Sequence, residues 1–232
     1  MTVVYMRNVF ICSTSGSVLK KAFEWAPDIL KDSLIISDRN CGAVEFAAIK
    51  GIEFLVHETD SGLVLSDRIA DLFFGREDVC FFSFYTRLFK GRFISEHAGR
   101  IINFHPSILP ACPGRDGFGD TIKSGSTFVG STVHLIDKGM DSGKPILQAA
   151  FPRNPNLSLA LIRHRVFLQQ VVSLIQVAKW FYDRRVVFKS GDLYIKDVSY
   201  DVSEFSPNID RDLHALVVNE MSQFDLSRGI CG

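Results

Sequence analysis

Four short apolar runs, at residues 8–12, 34–37, 53–57 and 79–84, recur through the first 84 residues, and they restrict the fold more than any other feature. Runs of this length, rich in branched and aromatic side chains, read as strands, the first of them buried on both faces. Residues 18–25, 42–50 and 64–73 lie between or beside them and carry apolar residues at helical spacing. Strand and helix in alternation predict an α/β fold with a Rossmann-like, doubly wound, mostly parallel sheet covered by helices on both faces. The small polar turn after the first run, Ser13-Thr14-Ser15-Gly16-Ser17, brings backbone N–H groups to a helix N-terminus. That is an anion site by geometry or an ordinary βα turn. Farther on, residues 159–182 read as one long amphipathic helix with Ser158 as its cap. Residues 186–189 and 193–196 flank Ser190-Gly191-Asp192 as a hairpin. In the polar tail, residues 198–232, one short helix is expected over 209–219, and 1–197 and 198–232 are expected as main domain and C-terminal extension.

Several functional classes drop out on composition. With 232 residues, 47% of them hydrophobic, the chain can bury a sizeable core. Lys plus Arg number 26 against 26 Asp plus Glu, which removes the electrostatic argument for a general nucleic-acid binder. The five cysteines, Cys12, Cys41, Cys80, Cys112 and Cys231, form no C-x-x-C pair. They read as reduced thiols rather than a disulfide framework or a zinc site, so no metal is expected. No secretory segment and no apolar run of membrane-spanning length is visible, so a cytoplasmic protein that engages no membrane is expected. Oligomeric state stays open, a homodimer included.

Chemistry concentrates between residues 100 and 151. Arg100-Ile101-Ile102 reads as a buried strand that runs on into Asn103-Phe104-His105, where alternation sends Asn103 and His105 to the same side. Pro106, Pro110 and Pro113-Gly114 then stop regular structure. A strand at 131–136 ends in the turn Asp137-Lys138-Gly139-Met140-Asp141-Ser142-Gly143, and another strand starts near Pro145. Asn103 offers a carboxamide donor, and His105 an imidazole that can stabilise an oxyanion or move a proton. Asp141 offers a carboxylate that can be aimed at an amine or a water. Together these parts suit attack of an amine on a carbonyl carbon.

The run Asn103-Phe104-His105-Pro106-Ser107-Ile108-Leu109-Pro110, followed by Pro113-Gly114, Gly130-Ser131-Thr132-Val133-His134 and Met140-Asp141-Ser142-Gly143, resembles the folate-dependent formyltransferases. The similarity extends more weakly over residues 8–196. It implies transfer of a formyl group from 10-formyltetrahydrofolate to a small-molecule amine, with Asn103, His105 and Asp141 as catalytic residues. It also implies that Phe84, Tyr85, Arg87, Leu88, Ile136, Asp137 and Gly139 border the folate. Phe84 stands where purine-pathway members have Gly. Ser15, Gly16 and Ser17 match the loop that holds a substrate phosphate. Gln170 matches a Glu that contacts the acceptor in glycinamide ribonucleotide enzymes, and Val18 replaces an Asn that donates to the phosphate. These two departures, one removing a donor and the other a negative charge, make a nucleotide-linked amino sugar the expected acceptor. Glycinamide ribonucleotide and an amino-acid-derived amine are the alternatives. The tail is too short for the additional barrel of the methionyl-tRNA members, which argues against a tRNA substrate.

Rival readings meet specific obstacles. A dinucleotide-dependent oxidoreductase lacks the glycine fingerprint. A serine hydrolase built on Ser107, His105 and Asp141 has its Ser two residues from its His in a Pro-bounded loop, with no G-x-S-x-G elbow. A non-catalytic binding module would need no intact Asn, His and Asp.

Overall fold

The computed structural model describes residues 6–30 and 32–215. In chain order the elements are β1 (Arg7–Cys12), α1 (Ser17–Trp25), α2 (Pro27–Leu30), β2 (Leu34–Ser37), α3 (Gly42–Lys50), β3 (Glu53–Val56), α4 (Gly62–Leu72) and β4 (Val79–Phe84). They continue with α5 (Arg92–Glu96), β5 (Ile101–His105), α6 (Gly117–Lys123), β6 (Phe128–Leu135), β7 (Pro145–Pro152), α7 (Leu159–Tyr182), β8 (Val186–Lys189), β9 (Asp192–Ile195) and β10 (Phe205–Ser206). Eight strands form one sheet in the order β10-β7-β6-β5-β4-β1-β2-β3, and β8 and β9 make a separate hairpin. From β3 to β5 every pairing is parallel; β6, β7 and β10 join antiparallel.

The strands alternate as buried strands must. On β1, Phe10 and Cys12 join Ile35, Phe82, Ile102, Phe104, Val133 and Leu135 in the cluster that packs under α1, α3 and α7. Val9 and Ile11 turn the other way, to Leu34, Ile36, Phe81 and Ile101 under α4 and α5. This period of two sorts the side chains of a doubly covered sheet into two layers. Sequence order reverses direction between β4 and β1, so the crevice at their carboxyl ends is the ligand position this topology provides. There Ser13 Oγ and Thr86 Oγ1 lie 3.0 Å apart, joining the two loops across the crevice.

Three helices and one strand were not anticipated. α2, α5 and α6 are each seven residues or fewer, too short for periodicity to register. β10 is a two-residue strand inside the polar tail, paired to β7 through Phe205↔Ala149 and Ser206↔Gln148. The tail is fastened further by Glu204, which accepts from Arg165 Nη2 at 2.8 Å and Gln169 Nε2 at 2.7 Å, and by Asp210, which accepts from Arg185 Nη1 at 2.8–2.9 Å. Residues 211–215 are helical, inside the helix expected over 209–219; positions 216–219 and Cys231 lie outside the described residues. No helix among the described residues is long and apolar enough to cross a membrane.

Candidate active site

Asn103 and His105 stand at the carboxyl end of β5, on the face that α4 and α5 cover farther back at Ile101. The antiparallel neighbour β6 sets Asn103 opposite His134 and His105 opposite Thr132. Directly opposed residues of a ladder share a face, so four polar side chains meet where the helices no longer cover the sheet. Asp141 arrives from the β6–β7 turn. Its Oδ2 lies 3.5 Å from His105 Nδ1, and its Oδ1 lies 3.6 Å from His134 Nε2.

The histidines are nearly sealed, His105 at 3% and His134 at 2% exposure. His134 Nδ1 lies 2.9 Å from the carbonyl of Leu135, which assigns the proton to Nδ1 and leaves Nε2 to accept from Asn103 Nδ2 at 3.2 Å. Burial holds the His134 pKa below its ordinary value, outweighing the Leu135 carbonyl and the Asp141 carboxylate, which act the other way. A neutral His134 therefore orients the Asn103 carboxamide, whose second N–H is left for another acceptor. His105 Nε2 donates to the Cys112 carbonyl at 2.8 Å, so its Nδ1 is the nitrogen presented to Asp141.

The loop after β5 is shaped to supply that carbonyl. Cys112 adopts φ 53°, and Ser107 Oγ donates to the carbonyls of Ala111 and Cys112 at 2.7 and 3.1 Å. Thr132 Oγ1 donates to the Ser107 carbonyl at 2.8 Å and receives the Leu109 N–H at 3.0 Å. Ser107 is thus fully occupied by loop carbonyls, which disposes of the serine-hydrolase reading. Gly117, at the start of α6, lies so close that a Cβ there would overlap His105 Nε2. Asp141 itself has φ 52°, a conformation that costs a non-glycine residue free energy and concentrates at functional sites. Its Oδ2 also accepts from Gly114 N at 2.8 Å, which fixes the carboxylate against the loop.

The other residues singled out by sequence fall in several environments. Phe84 stacks on Phe104, centroids 4.9 Å apart, and packs with the main core cluster. Tyr85 is buried against Phe89 at 5.1 Å, while Leu88 is exposed. The Arg87 guanidinium is engaged by Asp38, by Asp60 at 2.9 Å and by the Thr59 carbonyl at 3.4 Å. Ile136 N donates to Ile101 O at 2.8 Å, anchoring the turn that carries Asp141. Asp137 accepts from Gly139 N and Ser142 Oγ at 2.9 and 2.7 Å, so it builds that turn. Gly139 is needed there because a Cβ would overlap Ser142 Oγ. Gly16 takes φ 65° at the start of α1, with Ser15 and Ser17 exposed beside it, and Val18 is buried in the core. Gln170 is half-buried on α7, whereas its neighbour Gln169 is fully buried and bound to Glu204. His134 is not among the site residues that the sequence points to, although it closes the Gly130-Ser131-Thr132-Val133-His134 run that carries the resemblance and lies just before the Asp141 turn.

Residues 61–178, about half of the chain, match the family model described as Formyl transferase. A phosphoribosylglycinamide formyltransferase of Bacillus subtilis is 40% identical over 82 residues, 35% of this chain and 42% of the length of that protein. Another, from Mycobacterium tuberculosis, is 32% identical over 152 residues, 63% of this chain and 71% of that protein. Among solved structures, glycinamide ribonucleotide transformylase 1 from Symbiobacterium toebii superposes with a TM-score of 0.71 at 27% identity, covering 84% of this chain and 96% of that one. A formyltetrahydrofolate deformylase from Pseudomonas syringae shares the fold, with a TM-score of 0.72 at 17% identity over 83% of this chain and 66% of that one. These relatives overturn the expectation of a nucleotide-linked amino sugar as acceptor. The physical reason lies in the weight given to two side chains. Val18 faces the core from the first turn of α1, so its apolar character is a packing requirement and carries no information about the acceptor. Gln170 keeps amide donor and acceptor capacity at its position.

Proposed function

Because the chain belongs to the formyl transferase family, we propose that it moves a formyl group from 10-formyltetrahydrofolate to the amine of glycinamide ribonucleotide or a close purine precursor. The observation that carries the reading is the convergence of Asn103, His105, His134 and Asp141 at one end of the sheet, beyond the helices that cover it. The donor supplies an electrophilic formyl carbon. Phe84, Tyr85, Leu88 and the Ile136–Gly139 turn would border it.

The chain's own groups then divide the work. Asn103, with one N–H spent on His134, directs the other toward the formyl oxygen as negative charge grows there. His105, anchored through Nε2 on Cys112 O, brings Nδ1 to the same region, where a proton on it adds a charge-assisted donor. Asp141, fixed by Gly114 N, accepts the proton the attacking amine must lose, directly or through a water. The 106–117 loop over His105 limits entry of water, which would otherwise compete for the formyl group. Ser15, Gly16 and Ser17 at the start of α1 offer N–H groups to the acceptor's phosphate, and Gln170 offers a neutral amide to its glycinamide end. No step calls for a metal.

The test incubates the protein with 10-formyltetrahydrofolate and glycinamide ribonucleotide, following tetrahydrofolate release by absorbance and the formylated product by mass spectrometry. Donor consumption without a formylated acceptor would replace transfer by hydrolysis. No consumption of the donor at all would remove the reaction class.

A further inference from the structure

We propose that Asp38 is a positioning residue for the folate donor, acting through Arg87; the inference rests on the reading that residues 84–88 border that donor. Asp38 follows β2 directly, and its side chain is 0% exposed. Two guanidinium groups converge on it. Arg39 binds it bidentately, Nε to Oδ1 at 2.9 Å and Nη2 to Oδ2 at 2.8 Å, and Arg87 Nη1 donates to Oδ2 as well. Arg87 also holds Asp60 Oδ1 through Nη2 at 2.9 Å and reaches the Thr59 carbonyl at 3.4 Å.

Topology gives this cluster its consequence. In the sheet, β1 lies between β4 and β2. The Arg87 side chain is rooted just beyond β4, so to reach Asp38 it must cross the carboxyl end of β1. It therefore spans the crevice at the switch point and ties together the segments that follow β2, β3 and β4. The same segment is held at its backbone from two other directions. Thr86 N donates to Ser13 Oγ at 3.0 Å, and Lys90 N donates to Ser66 Oγ at 3.0 Å. Gly62 presses so closely on the Leu88 carbonyl that a Cβ there would overlap it. Arg87 is the one charged tie in this set, and Asp38 is its buried end. A carboxylate without solvent contact is held by its partners or not at all. With Asp38, Asp60 and Thr59 O on its terminal nitrogens, the guanidinium is committed to protein groups, so its effect on the donor passes through the placement of Tyr85 and Leu88.

The experiment compares wild type, Arg87→Gln, Asp38→Asn and the double variant. It reads binding of 5-formyltetrahydrofolate by calorimetry, and kcat with both KM values for formyl transfer to glycinamide ribonucleotide. Arg87→Gln leaves Asp38 paired with Arg39, so its fold survives. Should Asp38→Asn fail to fold, Asp38→Glu keeps the charge while displacing the guanidinium and takes its place. Each single variant is expected to weaken folate binding by roughly tenfold, the effect of one lost charge-assisted contact. The acceptor KM should stay at the wild-type value, and the double variant should be no worse than the weaker single one. If the Asp38 variant binds folate like wild type while Arg87→Gln does not, Arg87 touches the donor directly and the proposal is overturned. Additive losses, or equal losses in both KM values, also overturn it. A wild type that binds no folate would instead fault the functional reading on which the inference rests.

Discussion

Asp141 Oδ2 lies 3.5 Å from His105 Nδ1, and the same oxygen receives the Gly114 N–H at 2.8 Å. One carboxylate oxygen thus joins the β6–β7 turn to the strand end carrying His105 and to the loop that covers it.

Asp141→Asn is expected to lower turnover by about 10²–10⁴-fold, the usual range for loss of a general base. Asn tolerates the positive φ of this position, and its carbonyl can still accept from Gly114, so the melting temperature should hardly move. Steady-state kinetics beside a melting curve test this; turnover near wild type would remove Asp141 from the chemistry.

His134→Phe removes the acceptor that orients Asn103 while keeping a buried ring. The expected result is roughly a tenfold fall in kcat, with both KM values nearly unchanged. Because burial holds the His134 pKa below its ordinary value, no limb of the kcat–pH profile at neutral pH or above should disappear. Loss of a limb would show that His134 itself carries a catalytic proton.

Gly117→Ala forces a methyl group into the space of His105 Nε2. The ring must turn away from the Cys112 carbonyl, and kcat should fall by at least about tenfold, since misplacing a catalytic group is costly. A shifted His105 ring resonance in the NMR spectrum would report the displacement, and an unmoved resonance with wild-type kcat would refute it.

His97 gives the stability a pH dependence away from the site. It is buried against Phe81 and Phe93, and burial, helped by Arg100, pushes its pKa down from 6.5 to about 4. The sign follows from which state takes the proton. Between pH 6.5 and about 4 the unfolded chain is protonated at His97 and the folded one is not. Unfolding therefore takes up a proton, and stability falls as pH falls through that window. In His97→Gln the proton uptake measured near pH 5 should drop by about one. An unchanged uptake would exclude His97 as its source.

Glu204→Ala should cost about 1–3 kcal/mol of stability, because it strands the buried Gln169 amide and frees Arg165. Turnover per folded molecule should be retained. A denaturant titration measures the loss, and wild-type stability would mean that the tail contributes nothing through this contact.

The alternation of strands and helices was legible in the chain because burial on both faces demands unbroken apolar runs, as Phe10 and Ile11, Ile35 and Ile36, and Phe81 and Phe82 show on opposite faces. Asn103 and His105 on one side of β5 followed from strand periodicity, and Asp141 from its glycine-flanked turn. The chain order also showed a single long helix capped by Ser158, which accepts from Leu161 N at 3.3 Å. What the chain order could not contain was register. His134 becomes part of the site only because β6 pairs antiparallel with β5 at Asn103↔His134, and a slip of one residue would turn it to the other face. β10 lacks any local signal, since its two residues are held by β7 and by Glu204 rather than by their own propensity. Arg87 likewise reads as a loop arginine until the sheet order puts Asp38 across β1 from it. Local pattern settled which residues could be buried and which could react; long-range pairing decided which of them meet, because contacts between distant segments depend on strand order and register that no local window encodes.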